Sequence, residues 1–93
     1  MEIQIAATSN GQYQLDVLVM PRGEHHLEVI EPGDTVALVL IRGRLSATRC
    51  GRDVPSRQLV ARPTEPVFLV TPGSYHVVAE SHCIGLRGVR HGA

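Results

Sequence analysis

The sequence has 93 residues, 43% of them hydrophobic, and its nine basic and nine acidic side chains give a formal net charge of zero. This length fits one domain, and the hydrophobic fraction is too high for a disordered chain. The charge balance argues against nucleic-acid binding, which needs a basic excess, and no polybasic run indicates a membrane-surface protein. The longest apolar run, residues 36–41, is far too short to cross a bilayer.

The N-terminal residues show neither the basic segment nor the apolar core of a signal peptide. The two cysteines, Cys50 and Cys83, match no metal-binding or redox spacing, and we expect both to be reduced thiols. These features predict a cytoplasmic protein.

β-Branched residues are abundant and turn signals recur along the chain, which predicts a single all-β domain over residues 1–93. The predicted strands cover residues 2–8, 12–20, 25–31, 34–42, 44–49, 57–62, 67–71, 74–80 and 83–89. Ser9-Asn10-Gly11 is predicted to turn the first hairpin. A loop is expected over residues 50–56 and a frayed end over residues 90–93.

Two strands carry informative patterns. In the second, the odd-numbered residues from Tyr13 to Val19 are apolar, whereas Gln14 and Asp16 lie on the opposite face. The fourth strand, residues 34–42, is the most hydrophobic, and we expect it to be central and buried on both faces.

Residues 31–89 resemble the cupin superfamily at several points in order. Pro32-Gly33 follows a strand, as in many cupins, and residues 40–45 (LIRGRL) are similar to the bend that closes the family's first motif. Residues 72–76 (PGSYH) resemble the second motif, which brings a histidine into the barrel, although one residue between Pro72 and Gly73 is missing. The resemblance implies a small cupin-like β-barrel, or jelly roll, of about eight or nine short strands.

The first motif departs from the metal-binding cupins. Counting back from Gly43, the usual glutamate position falls on Val36, and the two histidine positions fall within residues 29–32, where there is no histidine. The resemblance therefore implies a barrel without the usual metal ligands. We expect no cofactor, with a divalent metal as the alternative.

His76 is the first candidate for a functional residue. The resemblance implies that its ring points into the barrel mouth, where it could bind a metal, act as a general base or hydrogen-bond a ligand. The alternative is a histidine satisfied by a neighbour. Tyr75 is a candidate ligand contact beside it, with core packing as the alternative.

His25 and His26 are adjacent, so in a strand they point to opposite faces. His25 shares a face with Leu27, Val29 and Glu31, and we expect it to point inward. His25, Glu31 and His76 would then form a ligand-binding or metal site completed by water. The alternative is that these histidines lie on the solvent-exposed surface or in an interface.

Two classes of function fit these observations. One is a non-catalytic, metal-poor binding module for a small molecule or a protein partner, which pairs with itself through edge strands as a homodimer. The other is a small cupin enzyme of the isomerase, epimerase or lyase type that uses His76, with or without a metal. A different small β fold that acts as an interaction protein is a third interpretation.

Overall fold

A computed structural model describes residues 2–7, 12–51 and 58–92, the first range as backbone only. Within these ranges the chain forms nine strands and no helix. They are β1 (Glu2–Ala7), β2 (Tyr13–Met20), β3 (His25–Ile30), β4 (Thr35–Arg42), β5 (Leu45–Arg49), β6 (Gln58–Ala61), β7 (Val67–Leu69), β8 (Gly73–Ala79) and β9 (Cys83–Arg90).

Each predicted strand is confirmed, and the predicted ends that fall on described residues agree to within two residues. Thr8, the predicted turn at Ser9-Asn10-Gly11, residues 52–56 of the predicted loop, Arg57 and Ala93 lie outside the described residues. Among the residues that are described, no helix is long and apolar enough to span a membrane.

The strands form two antiparallel sheets. The five-stranded sheet has the order β1-β2-β9-β4-β7, and the four-stranded sheet has the order β3-β8-β5-β6. From β2 to β5 and from β6 to β9, each strand lies in the opposite sheet from the strand before it. The chain therefore winds as a jelly roll, and alternate residues of strands β2 to β9 point between the sheets.

The core fills the space between the two sheets. Its members are the inward-facing apolar side chains of both, among them Leu18, Ile30, Leu38, Leu45, Leu69 and Val77. Burial of this apolar surface is the main favourable term in folding.

The outer face of the five-stranded sheet is also apolar. The predicted burial of β4 on both faces is wrong, because the outward Val39 and Ile41 are exposed whereas the inward Val36 and Leu38 are buried. In β2 the apolar set from Tyr13 to Val19 lies on this outer face, and Asp16 points into the sandwich.

Two glycines make turns that other residues would strain. Gly33 and Gly43 have φ values of 88° and 97°. Gly33 lies in the β3–β4 turn, where the Asp34 N–H donates to the Glu31 carbonyl at 3.0 Å. Gly43 lies between β4 and β5, and a side chain there would collide with the backbone at Cys83. The bend predicted at Gly43 is confirmed.

Candidate functional site

His76 lies on the outer face of the four-stranded sheet, so the inward direction predicted for its ring is wrong. Its neighbours Tyr75 and Val77 point into the core, and Val77 is only 1% exposed. The reason is the residue missing between Pro72 and Gly73. Counted from Pro72, the inward position of the family's histidine falls on Val77. A one-residue change in a strand moves a side chain to the opposite face.

His25 lies on the same outer face, which corrects the inward direction expected for it. Its Nδ1 atom lies 2.7 Å from the Nε2 atom of His76, and the two rings stack with centroids 4.8 Å apart at 21°. In the register of β3 and β8, Leu27 is opposite His76 and Val78 is opposite His25. The two histidines are therefore diagonal neighbours across adjacent strands.

Exposed aliphatic side chains surround this histidine pair. On β3, Leu27 and Val29 are 59% and 53% exposed. Thr48 of β5 is opposite His76 on its other side. The described cross-strand neighbours of the pair, Leu27, Val78 and Thr48, carry no charge.

Glu31 and Tyr75, the other two predicted site residues, do not lie beside the histidine pair. Glu31 is exposed beyond the end of β3, and six residues of extended chain separate it from His25 by about 20 Å. Tyr75 is buried in the core, and its hydroxyl donates to the Thr71 carbonyl at 3.2 Å. In the described part of the chain, no three His, Cys, Asp or Glu side chains lie close enough to hold a metal.

The interior metal typical of the fold family does not fit this chain. By the resemblance, the glutamate position counted from Gly43 falls on Val36 and the histidine position counted from Pro72 falls on Val77, and both valines are buried in the core. Their aliphatic side chains offer no donor atom to a metal.

A charged network, absent from the sequence-based expectations, crosses the interior. Arg87 of β9 donates from Nη1 to Asp16 of β2 at 2.8 Å, and from Nε to Glu28 of β3 at 2.9 Å. Its Nη2 also binds Glu28. The side chains of Asp16 and Glu28 are each 3% exposed. Arg87 thus joins the two sheets through charge-assisted hydrogen bonds.

His26 and Gln14 extend this network. His26 Nε2 lies 3.1 Å from Glu28, and Gln14 Nε2 donates to Asp16 at 3.1 Å. His26, not His25, is therefore the inward member of the adjacent pair. The sequence contains one indication of this network: Gln14, Asp16, Leu18 and Met20 share one face of β2. That face mixes polar and apolar residues, so it gave no clear inward assignment.

Two further groups have shifted pKa values. Burial raises the pKa of the Cys83 thiol. At the other end of β9, the hydrogen bond from the Gly92 N–H at 2.9 Å, assisted by His91, lowers the pKa of the Asp34 carboxyl, and partial desolvation opposes it. Neither group adjoins the histidine pair or the charged network in the described structure.

No family model matches the sequence, and no curated protein matches it significantly. Solved structures do resemble it. A cupin superfamily protein from Desulfitobacterium hafniense DCB-2 gives a TM-score of 0.74 with 12% identity, covering 100% of this chain and 77% of that chain. The Cupin_2 domain of an XRE family transcriptional regulator from Enterobacter cloacae gives 0.76 with 11% identity, covering 100% and 96%.

The cobalt(II) form of HppE, in complex with Tris buffer, has a TM-score of 0.64 with 9% identity. The match covers 98% of this chain and 52% of HppE, so this chain spans about half of that protein. These likenesses establish the fold: the chain is a cupin-fold domain. The cupin-like jelly roll that the sequence predicted is confirmed.

Proposed function

We propose that this chain is a non-catalytic binding module of the cupin fold, and that it binds a protein partner through the outer face of its four-stranded sheet. The observation that carries this proposal is the position of His25 and His76. They meet on an exposed sheet face, beside Leu27 and Val29.

The charged network makes the interior a poor place for a ligand. Arg87 is already bound to Asp16 and Glu28, and both carboxylates are buried. A ligand that bound the Arg87 guanidinium in their place would leave the two buried carboxylates without a counter-charge, which costs about 3–5 kcal/mol in typical proteins. We infer that the network joins the sheets and that recognition takes place outside.

The outer face fits a protein better than a small molecule. Small-molecule sites are concave, whereas this face is an open sheet surface. Its exposed aliphatic side chains, Leu27 and Val29, offer apolar surface of the kind that protein interfaces bury at their centre. The partner chemistry that fits is an apolar patch with a hydrogen-bonding group that faces the imidazoles.

The similarity to the Enterobacter regulator domain supports a binding role. That cupin domain belongs to a transcriptional regulator, so the fold occurs there as one module of a larger protein. The corresponding role that we propose for this chain is to bind a partner without catalysing a reaction.

Nuclear magnetic resonance with a library of small fragments tests the proposal, because protein-binding hot spots also bind fragments. We expect amide shift changes to gather at His25, Leu27 and His76, and to disappear in Leu27→Asp. Phe68→Ser, on the other sheet, should leave them unchanged. Shift changes that gather instead around Asp16, Glu28 and Arg87 would favour an interior site and contradict the proposal.

We also propose that the chain pairs with a second copy, through the outer face of the five-stranded sheet and not through the edge strands that the sequence suggested. One row across this face is Val17, Leu86 and Val39, and the next is Leu15, Gly88, Ala37 and Phe68. These rows carry no charge, and Gly88 and Ala37 keep their centre flat. The formal net charge of zero removes long-range repulsion between copies. A flat apolar face therefore suits an identical face.

A further inference from the structure

The histidine pair on the outer face has a chemistry beyond the hydrogen bonding that the proposed partner would use. His25 Nδ1 and His76 Nε2 lie 2.7 Å apart. When both rings are neutral, one nitrogen donates and the other accepts. At this distance the two nitrogens share one proton, and a cation that binds both nitrogens would take the place of that proton.

We propose that His25 and His76 together bind one divalent first-row transition-metal ion, such as Cu²⁺ or Zn²⁺, on the outer face of the four-stranded sheet. Neutral imidazole is a preferred ligand for these ions, and Cu²⁺ binds most tightly among them. Water completes the coordination, because both side chains are exposed. This site lies outside the barrel and uses the same two imidazoles that the proposed partner would face.

The geometry needs only a small adjustment. A metal–nitrogen bond of about 2.0–2.1 Å places two nitrogens of one ion about 2.9 Å apart at the 90° angle of tetragonal Cu²⁺ and about 3.4 Å apart at the tetrahedral angle of Zn²⁺. The rings must therefore separate by about 0.2 Å for Cu²⁺ and about 0.7 Å for Zn²⁺, and turn so that both nitrogens point at the ion. Exposed side chains can make this movement by rotation about their own bonds. Cross-strand placement on β3 and β8 holds both rings over the same point of the sheet.

The neighbouring residues do not compete for the ion or for the imidazoles. Leu27, Val78 and Thr48 are the cross-strand neighbours of the pair, and none carries a charge. His26 contacts Glu28 on the opposite face of β3 and is separated from the pair by the sheet. The metal would therefore be held by two imidazoles and not by carboxylates.

Titration of tag-free, chelator-treated protein with CuCl₂ and with ZnCl₂ tests this site by calorimetry. We expect one ion per chain. Removal of either histidine turns a two-point contact into a one-point contact, so His25→Gln and His76→Gln should each weaken binding about 100-fold. The matched control is His82→Gln, which removes an exposed histidine from the β8–β9 turn and should leave the affinity unchanged.

Electron paramagnetic resonance of the Cu²⁺ protein gives a second readout, with splitting from two nitrogens in the wild type and from one in each variant. Circular dichroism of all three variants checks that they fold. The site would be refuted by wild-type affinity in His25→Gln and His76→Gln, by an equal loss in His82→Gln, or by no binding at all. Fragment binding at Leu27 is measured without metal, so either proposal can fail alone.

Discussion

Arg87 carries the strongest residue-scale argument, because it lies between two buried carboxylates on different strands. Asp16 is on the neighbouring strand of the same sheet, and Glu28 is on the opposite sheet. A buried ion pair adds little over a well-packed apolar group, but loss of one member leaves uncompensated charge. The guanidinium is therefore needed mainly because the two carboxylates are there.

Replacement of Arg87 by Met should lower the free energy of unfolding by about 3–5 kcal/mol, since Asp16 and Glu28 stay buried without a counter-charge. Urea denaturation at neutral pH measures this difference. The control is Arg44→Met: Arg44 pairs with Glu80 at the surface, with side chains 48% and 35% exposed. Its loss should be at most about 1 kcal/mol. Equal losses in the two variants would contradict a structural role for the network.

At the scale of the strands, close packing of β4 against β9 depends on Gly85. A side chain there would collide with the backbone of β4 at Val39 and Leu40. The register of β4 on β9 shifts between Leu40 and Arg42, next to this point. The absence of a side chain thus lets the two strands meet where the ladder is irregular.

Gly85→Ala should therefore lower the free energy of unfolding by about 1–3 kcal/mol, the usual cost of overpacking. Gly88→Ala is the matched control on the same strand, because a Cβ at Gly88 would lie 4.0 Å from the nearest atom, the Ala37 Cβ. We expect that variant to be nearly as stable as the wild type. Thermal denaturation followed by circular dichroism compares the two, and equal destabilisation would show that the contact at Gly85 is unimportant.

The strands could be predicted from the sequence more reliably than the direction of their side chains. Runs of β-branched residues between turn signals located all nine strands. The inward face was harder to assign, because several strands are apolar on both faces. His76 shows the difficulty. When the second cupin motif is aligned on Gly73, its inward histidine falls on His76. When the motif is aligned on Pro72, that position falls on Val77, and His76 points outward, as observed. Only the three-dimensional register decides between them.

At the scale of the molecule, the all-β class followed from composition and turn spacing and the cupin-like fold from the resemblance of residues 31–89, but the candidate site followed from neither. The pairing of His25 with His76 depends on β3 lying next to β8, and 51 residues separate the two histidines in the chain. The contacts of Arg87 with Asp16 and Glu28 depend on the same long-range arrangement. Such contacts leave no local pattern in a single sequence.

The apolar outer face of the five-stranded sheet gives the prediction that concerns the whole molecule. A chain of this size buries a modest core, and association of two apolar sheets would remove further apolar surface from water. Light scattering at micromolar concentration should therefore give twice the chain mass of 10.1 kDa. Leu86→Glu places a charge at the centre of this face and should give the monomer mass. Leu27→Glu adds the same charge to the other sheet and should leave the dimer intact. A wild-type protein of monomer mass would show that this face is open in solution, whereas dissociation by Leu27→Glu alone would place the contact between copies on the histidine face.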